Sequence, residues 1–115
     1  MTTDTYTYLQ RAEIDNVHQT IADLIGKLYE AETKTNDKGY NQVVLQLNPS
    51  GDGKQWKMFV YYSKERETFY YSFQDEDYYD TDLTYGKDQT EIVAQMEQEI
   101  DEAGGFEWIE LDLDD

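Results

Sequence analysis

Apolar residues change their spacing along the chain, and those changes mark out the expected elements. Beyond Leu9, the residues Ile14, Val17, Ile21, Leu24, Leu28 and Ala31 recur at helical intervals, with Ile25 widening the stripe; this predicts an amphipathic helix with one buried face. Asp23 and Lys27 lie one turn apart on its polar side in the favourable order, and Asn36-Asp37-Lys38-Gly39 supplies a stop. From Asn41 the period becomes two, so Val43, Leu45 and Leu47 share one side of a strand. Asn48 to Gly53 holds the only proline and reads as a loop. A second strand, Gln55 to Ser63, sets Trp56, Met58, Val60 and Tyr62 on one face and Lys57, Phe59 and Tyr61 on the other. After the charged turn at Lys64 to Glu67, a third strand runs from Thr68 to Gln74 and alternates Phe69, Tyr71 and Phe73 against Tyr70.

Asp88 and Glu91 stand at capping-box spacing and open a second helix, with Ile92, Val93, Met96 and Ile100 inward and Gly104 at its end. Glu97 and Asp101 fall one turn apart on its outer surface. From Phe106 to Leu113, Ile109, Leu111 and Leu113 alternate with Trp108, Glu110 and Asp112, a fourth strand with an acidic outer side. The order α-β-β-β-α-β predicts an α+β domain: a mainly antiparallel four-stranded sheet covered on one side by two helices. Residues 1–8, rich in Thr and Tyr without a period, are expected to form a loose arm. The 115 residues fit one acidic domain with a radius of gyration of about 13 Å. An aromatic share of 15%, led by 11 tyrosines, supplies the core that a hydrophobic content of 38% would otherwise leave thin.

Charge changes this picture most. The net charge is −17, and of 26 acidic residues 16 lie from Asp75 onward, where Lys87 is the one base. A near-neutral body is thus joined to a strongly anionic end. Such a field draws basic surfaces and repels nucleic acid and anionic membrane. With no cysteine, nothing in the chain calls for an oxidising compartment. The N-terminus has no signal-peptide pattern and no stretch spans a bilayer, so a cytoplasmic protein is the expectation.

Catalytic chemistry finds little to stand on. His18, the single histidine, lies mid-helix without a partner at catalytic spacing. Ser50, Ser63 and Ser72 lack a nucleophile elbow, and Gly51-Asp52-Gly53 lacks the lysine and helix start of a phosphate loop. A non-enzymatic protein without a cofactor is expected. Calcium offers a partial pattern, since the run from Asp80 through Asp82 and Asp88 to Glu91 places oxygen ligands at EF-hand intervals. The glycine required at the sharp turn is displaced, however: Tyr85 holds its place and Gly86 follows one residue late. A small calcium-binding module is therefore the weaker alternative. A second alternative is self-association through Phe59, Tyr61 and Tyr70.

The strongest signal is acid interleaved with rings. Asp75, Glu76, Asp77, Tyr78, Tyr79, Asp80 and Asp82 form one run, and Glu97, Asp101, Trp108, Glu110 and Asp112 extend it along the chain. Carboxylates fixed on a scaffold can stand in for backbone phosphates before Lys and Arg, and Tyr and Trp are favoured interface anchors. All seven residues of the Asp75 to Asp82 set are expected to be exposed, because burying so many carboxylates would cost several kcal/mol each. In size, charge and aromatic content, the C-terminal third resembles small acidic bacterial or phage inhibitors. Those comprise nucleic-acid mimics that antagonise defence nucleases (anti-CRISPR and anti-restriction proteins) and immunity proteins that neutralise a nuclease toxin. The resemblance implies a basic, nucleic-acid-binding protein partner and transfers no individual residue.

Overall fold

A computed structural model describes residues 5–34, 41–49, 51 and 53–113. Two helices lie against one face of a six-stranded antiparallel sheet. The strands are β1 (Thr5–Gln10), β2 (Gln42–Leu47), β3 (Trp56–Ser63), β4 (Thr68–Asp75), β5 (Thr84–Lys87) and β6 (Phe106–Leu113), and the helices are α1 (Val17–Lys34) and α2 (Gln89–Ala103). Across the sheet the order is β1-β6-β2-β3-β4-β5, so the last strand enters between the first two. The radius of gyration is 13.8 Å.

The expected sheet of four strands is corrected to six, and the order to β-α-β-β-β-β-α-β. Part of the expected loose arm is an edge strand: β1 pairs with β6 from Thr5 opposite Leu113 to Gln10 opposite Trp108. Its backbone groups find partners because β6 would otherwise be an open edge. Strand β5 closes the opposite side against β4, with a register shift between Phe69 and Tyr70. The helix expected from about Leu9 begins at Val17, since Leu9 belongs to β1 and a single 3-10 turn over Arg11–Glu13 intervenes. Asn16 Oδ1 accepts from the Gln19 backbone N–H at 3.0 Å, which satisfies one free amide of the new helix. The expected stop at Asn36 to Gly39 lies outside the described residues.

Alternation divides the sheet faces as the strands require. Val43, Leu45, Met58, Val60, Phe69, Ile109 and Leu111 point to the helices, where they bury against Ile21, Leu24, Ile25, Leu28, Ile92 and Met96. Burial of each such side chain contributes about 1.5–3 kcal/mol. On the opposite face no helix lies among the described residues, and side chains cover one another instead. Tyr61, Tyr70 and Tyr85 stack in a row at 5.1 and 4.9 Å between ring centroids. The Arg66 guanidinium closes that row 4.4 Å from the Tyr85 ring centre. Val44, between Glu110 and Phe59 in register, is only 2% exposed there.

Candidate acidic docking surface

The loop between β4 and β5 is built by its first acid. Asp75 Oδ1 accepts from the backbone N–H groups of Asp77 at 3.0 Å and Tyr79 at 2.9 Å, and Oδ2 lies 3.6 Å from Lys54 Nζ. Aspartate takes this position because its short side chain can bond amides a few residues ahead. The expectation that every acid of the loop is exposed fails at Asp75, which is 5% exposed. Two backbone bonds and a lysine offset the cost of burying that carboxylate. Backbone bonds from Asp75 N to Tyr79 O (3.1 Å) and Tyr78 N to Asp75 O (3.0 Å) tighten the turn.

The consequence is a projecting pair of rings. Tyr78 is 80% exposed and Tyr79 65%, and Tyr78 holds a left-handed φ of 63°. That conformation costs a non-glycine residue roughly 1–2 kcal/mol, a strain kept at functional positions more often than elsewhere. The second half of the loop is pinned back on β4. Thr81 N donates to Phe73 O at 2.9 Å, its Oγ1 accepts from Phe73 N at 2.8 Å, and Gln74 Nε2 donates to Asp80 Oδ1 at 2.9 Å. Glu76, Asp77, Asp80 and Asp82 remain exposed.

Helix α2 brings a second group of acids to the same end. Asp88 caps its start, accepting from Glu91 N at 2.8 Å, and Gly104 ends it at a φ of 78°. Aspartate and glutamate belong at a helix start, where the backbone dipole is positive. Here Glu99, Asp101 and Glu102 crowd the opposite end, and the last turn carries no base. Burial, followed by the charge of Glu102 and a hydrogen bond with it, raises the pKa of Glu99 above its ordinary range. Glu99 and Glu102 share a groove with Thr81 of the loop, over Leu47, Trp56, Phe73 and Ala103. Glu107 adjoins this end, its Oε1 accepting from Gln55 Nε2 at 3.0 Å.

The residues expected to form one site therefore divide among three surfaces. Glu76, Asp77, Tyr78, Tyr79, Asp80 and Asp82 stay together on the loop, which meets Glu99 and Glu102 at Thr81, while Glu76 and Tyr78 line a hollow with Gln46, Lys57 and Gln74 of the far sheet face. Glu97 faces α1, where its Oε1 lies 2.9 Å from His18 Nδ1, and with Asp101 it borders a hollow that also contains Arg11 and Phe106. Trp108, Glu110 and Asp112 lie on the far side of the sheet; Trp108 packs 5.5 Å from the Tyr8 ring and receives Lys57 Nζ at 5.8 Å. Sequence reasoning missed Glu99, Glu102 and Trp56. A signal for the two acids was present, because a helix C-terminus rich in glutamate and free of lysine opposes its own dipole.

The calcium pattern does not assemble. Thr84–Lys87 is extended as β5, Asp88 is occupied as a helix cap, and among the described residues no three acidic or histidine side chains converge on a metal position. Among the same residues, no helix is long and apolar enough to cross a membrane. Comparison with known protein families, curated proteins and solved structures found no match.

Proposed function

We propose that this protein is an acidic inhibitor whose loop pole occupies the nucleic-acid-binding surface of a basic partner. Partners of the fitting kind are a bacterial defence nuclease, which makes the role anti-CRISPR or anti-restriction, and a nuclease toxin, which makes it an immunity role. The observation that carries the reading is the end of α2, where Glu99 and Glu102 stand against the helix dipole across a groove from Thr81 of the acid-rich loop. A surface serving only solubility would gain as much from acids placed where they stabilise the helix. Tyr78 and Tyr79 add protruding anchors of the kind that concentrate binding energy.

The test is retention of a host protein on the immobilised chain, repeated with competing DNA or RNA and with the variant E76Q/D77N/D80N/D82N. The expected partner binds at low salt, is released by nucleic acid and is lost with the variant. A partner held equally well in excess nucleic acid and by the variant would end the mimicry reading.

A second reading rests on the uncovered sheet face. Its stacked Tyr61, Tyr70 and Tyr85 end at Arg66, and the same face carries Lys57 over Trp108 with Glu110 and Asp112 on β6. Two copies related by a two-fold axis can set the acids of one face against the bases of the other. Sedimentation at rising concentration expects a dimer, and a strict monomer removes this reading.

A further inference from the structure

We infer that the groove between the β4–β5 loop and the end of α2 is an anchor pocket for an arginine side chain of the partner. The inference deepens the proposed function and rests on it for the partner, but the pocket itself is argued from its lining. Its floor is apolar, made by Leu47, Trp56, Phe73 and Ala103, and its volume is about 300 Å³. The groove is shallow and open to solvent, so it can receive one extended side chain along its floor and does not enclose a ligand. Glu99 and Glu102 stand on one wall and Thr81 on the other, and among the described residues no lysine or arginine lines it.

This combination selects a cation with an aliphatic stem. The methylenes of an arginine lie along apolar surface, here including Trp56, while the head stays with polar partners. A planar guanidinium presents a fork of donors that can bridge two carboxylates, which the point charge of an ammonium does less well. The two carboxylates lie one helical turn apart, and burial first, then the charge of Glu102, raises the pKa of Glu99. A cation placed between them relieves that repulsion. The walls are preset, because Thr81 is bonded twice to Phe73 and α2 is capped at both ends. The ordering left to oppose binding is that of the two glutamate side chains and the arginine itself.

The experiment uses n-butylguanidinium as probe, with guanidinium and n-butylammonium as controls, on the full chain carrying W108F so that fluorescence reports Trp56. Methyl resonances of Leu47 and Ala103 give an independent readout. The expected result is a saturable change with n-butylguanidinium, at least about tenfold weaker with either control, and at least about tenfold weaker in E99Q/E102Q. Those amide exchanges remove like charges from a helix end, so the variant folds, and a thermal melt verifies it. No saturable change at Trp56, or equal affinity in the double variant, overturns the pocket. Equal binding of n-butylammonium overturns its assignment to arginine. A pocket that binds the probe while no nucleic-acid-competed partner is found separates this inference from the inhibitor reading; a competed partner with an unresponsive pocket separates them in the other direction.

Discussion

Replacing Asp75 by alanine tests how the acidic pole is held. The carboxylate accepts two backbone N–H bonds, from Asp77 and Tyr79, and faces Lys54 at 3.6 Å. Hydrogen bonds to a charged group contribute about 1.5–3 kcal/mol each, which gives a gross loss of about 3–6 kcal/mol. The loop is at the surface and water can reach part of the freed backbone, so the expected net loss is about 2–4 kcal/mol. D75N keeps an acceptor at Oδ1 but loses the charge and turns an NH2 toward Lys54, for an expected cost of about 1–2 kcal/mol, below that of D75A. Urea unfolding followed by tryptophan fluorescence measures both. With a slope of about 2 kcal/mol per molar, the middle of the range for small proteins, D75A shifts the midpoint by about 1–2 M. Hydrogen exchange at the Asp77 and Tyr79 amides should accelerate in D75A and much less in D75N. A D75A variant within about 0.5 kcal/mol of the parent, with both amides still protected, would refute the assignment of Asp75 as a structural residue. Because Asp75 supports the loop, any charge-removal test of the pole must spare it.

Three further outcomes follow from single residues. Gly105 has a φ of 126° and an added Cβ would lie 2.8 Å from Asn48 Nδ2, so G105A should cost about 1–3 kcal/mol in chemical denaturation. Tyr78→Gly removes left-handed strain; the chain should be as stable as the parent or more so, by up to about 1 kcal/mol, while affinity for a partner measured by calorimetry falls at least about tenfold. Glu102→Gln removes the charge that repels Glu99, and stability at neutral pH should rise by a few tenths of a kcal/mol. Glu99 binds its proton more tightly in the folded chain than in the unfolded one. Its ionised form therefore costs stability above the folded pKa, and that cost fades as pH falls toward the unfolded value. The E102Q gain should shrink over the same interval in melts recorded against pH, and a gain that grows with acid would contradict the origin of the shift.

Four strands and the second helix were legible because their signals are strong and local. Alternation over Val43 to Leu47 and over Ile109 to Leu113, and the Asp88 cap with Gly104 at the other end, match the observed elements. The two edge strands were not. Strand β1 runs through Thr7-Tyr8-Leu9, and a Thr/Tyr alternation is itself a strand signal, here obscured by the lack of aliphatic residues. Strand β5 has four residues, one of them Gly86 at a φ of 98°, too short and too irregular for periodicity to register; only pairing with β4 defines it. Asp75 was misread because composition treats carboxylates alike, whereas burial depends on which one finds backbone donors. Glu97 and Trp108 were separated from the pole by the fold itself, since α2 turns one acid toward α1 and β6 turns the ring to the opposite sheet face.

The central claim is that the loop pole, with the end of α2 behind it, draws in a basic surface. Its most direct measurement is the association rate with the partner against ionic strength, by stopped flow, for the parent chain and for E76Q/D77N/D80N/D82N. Electrostatic steering acts mainly on that rate and is screened by salt. A steep fall with salt is expected for the parent and a slower rate with a shallower dependence for the variant; identical slopes for the two chains would contradict the claim.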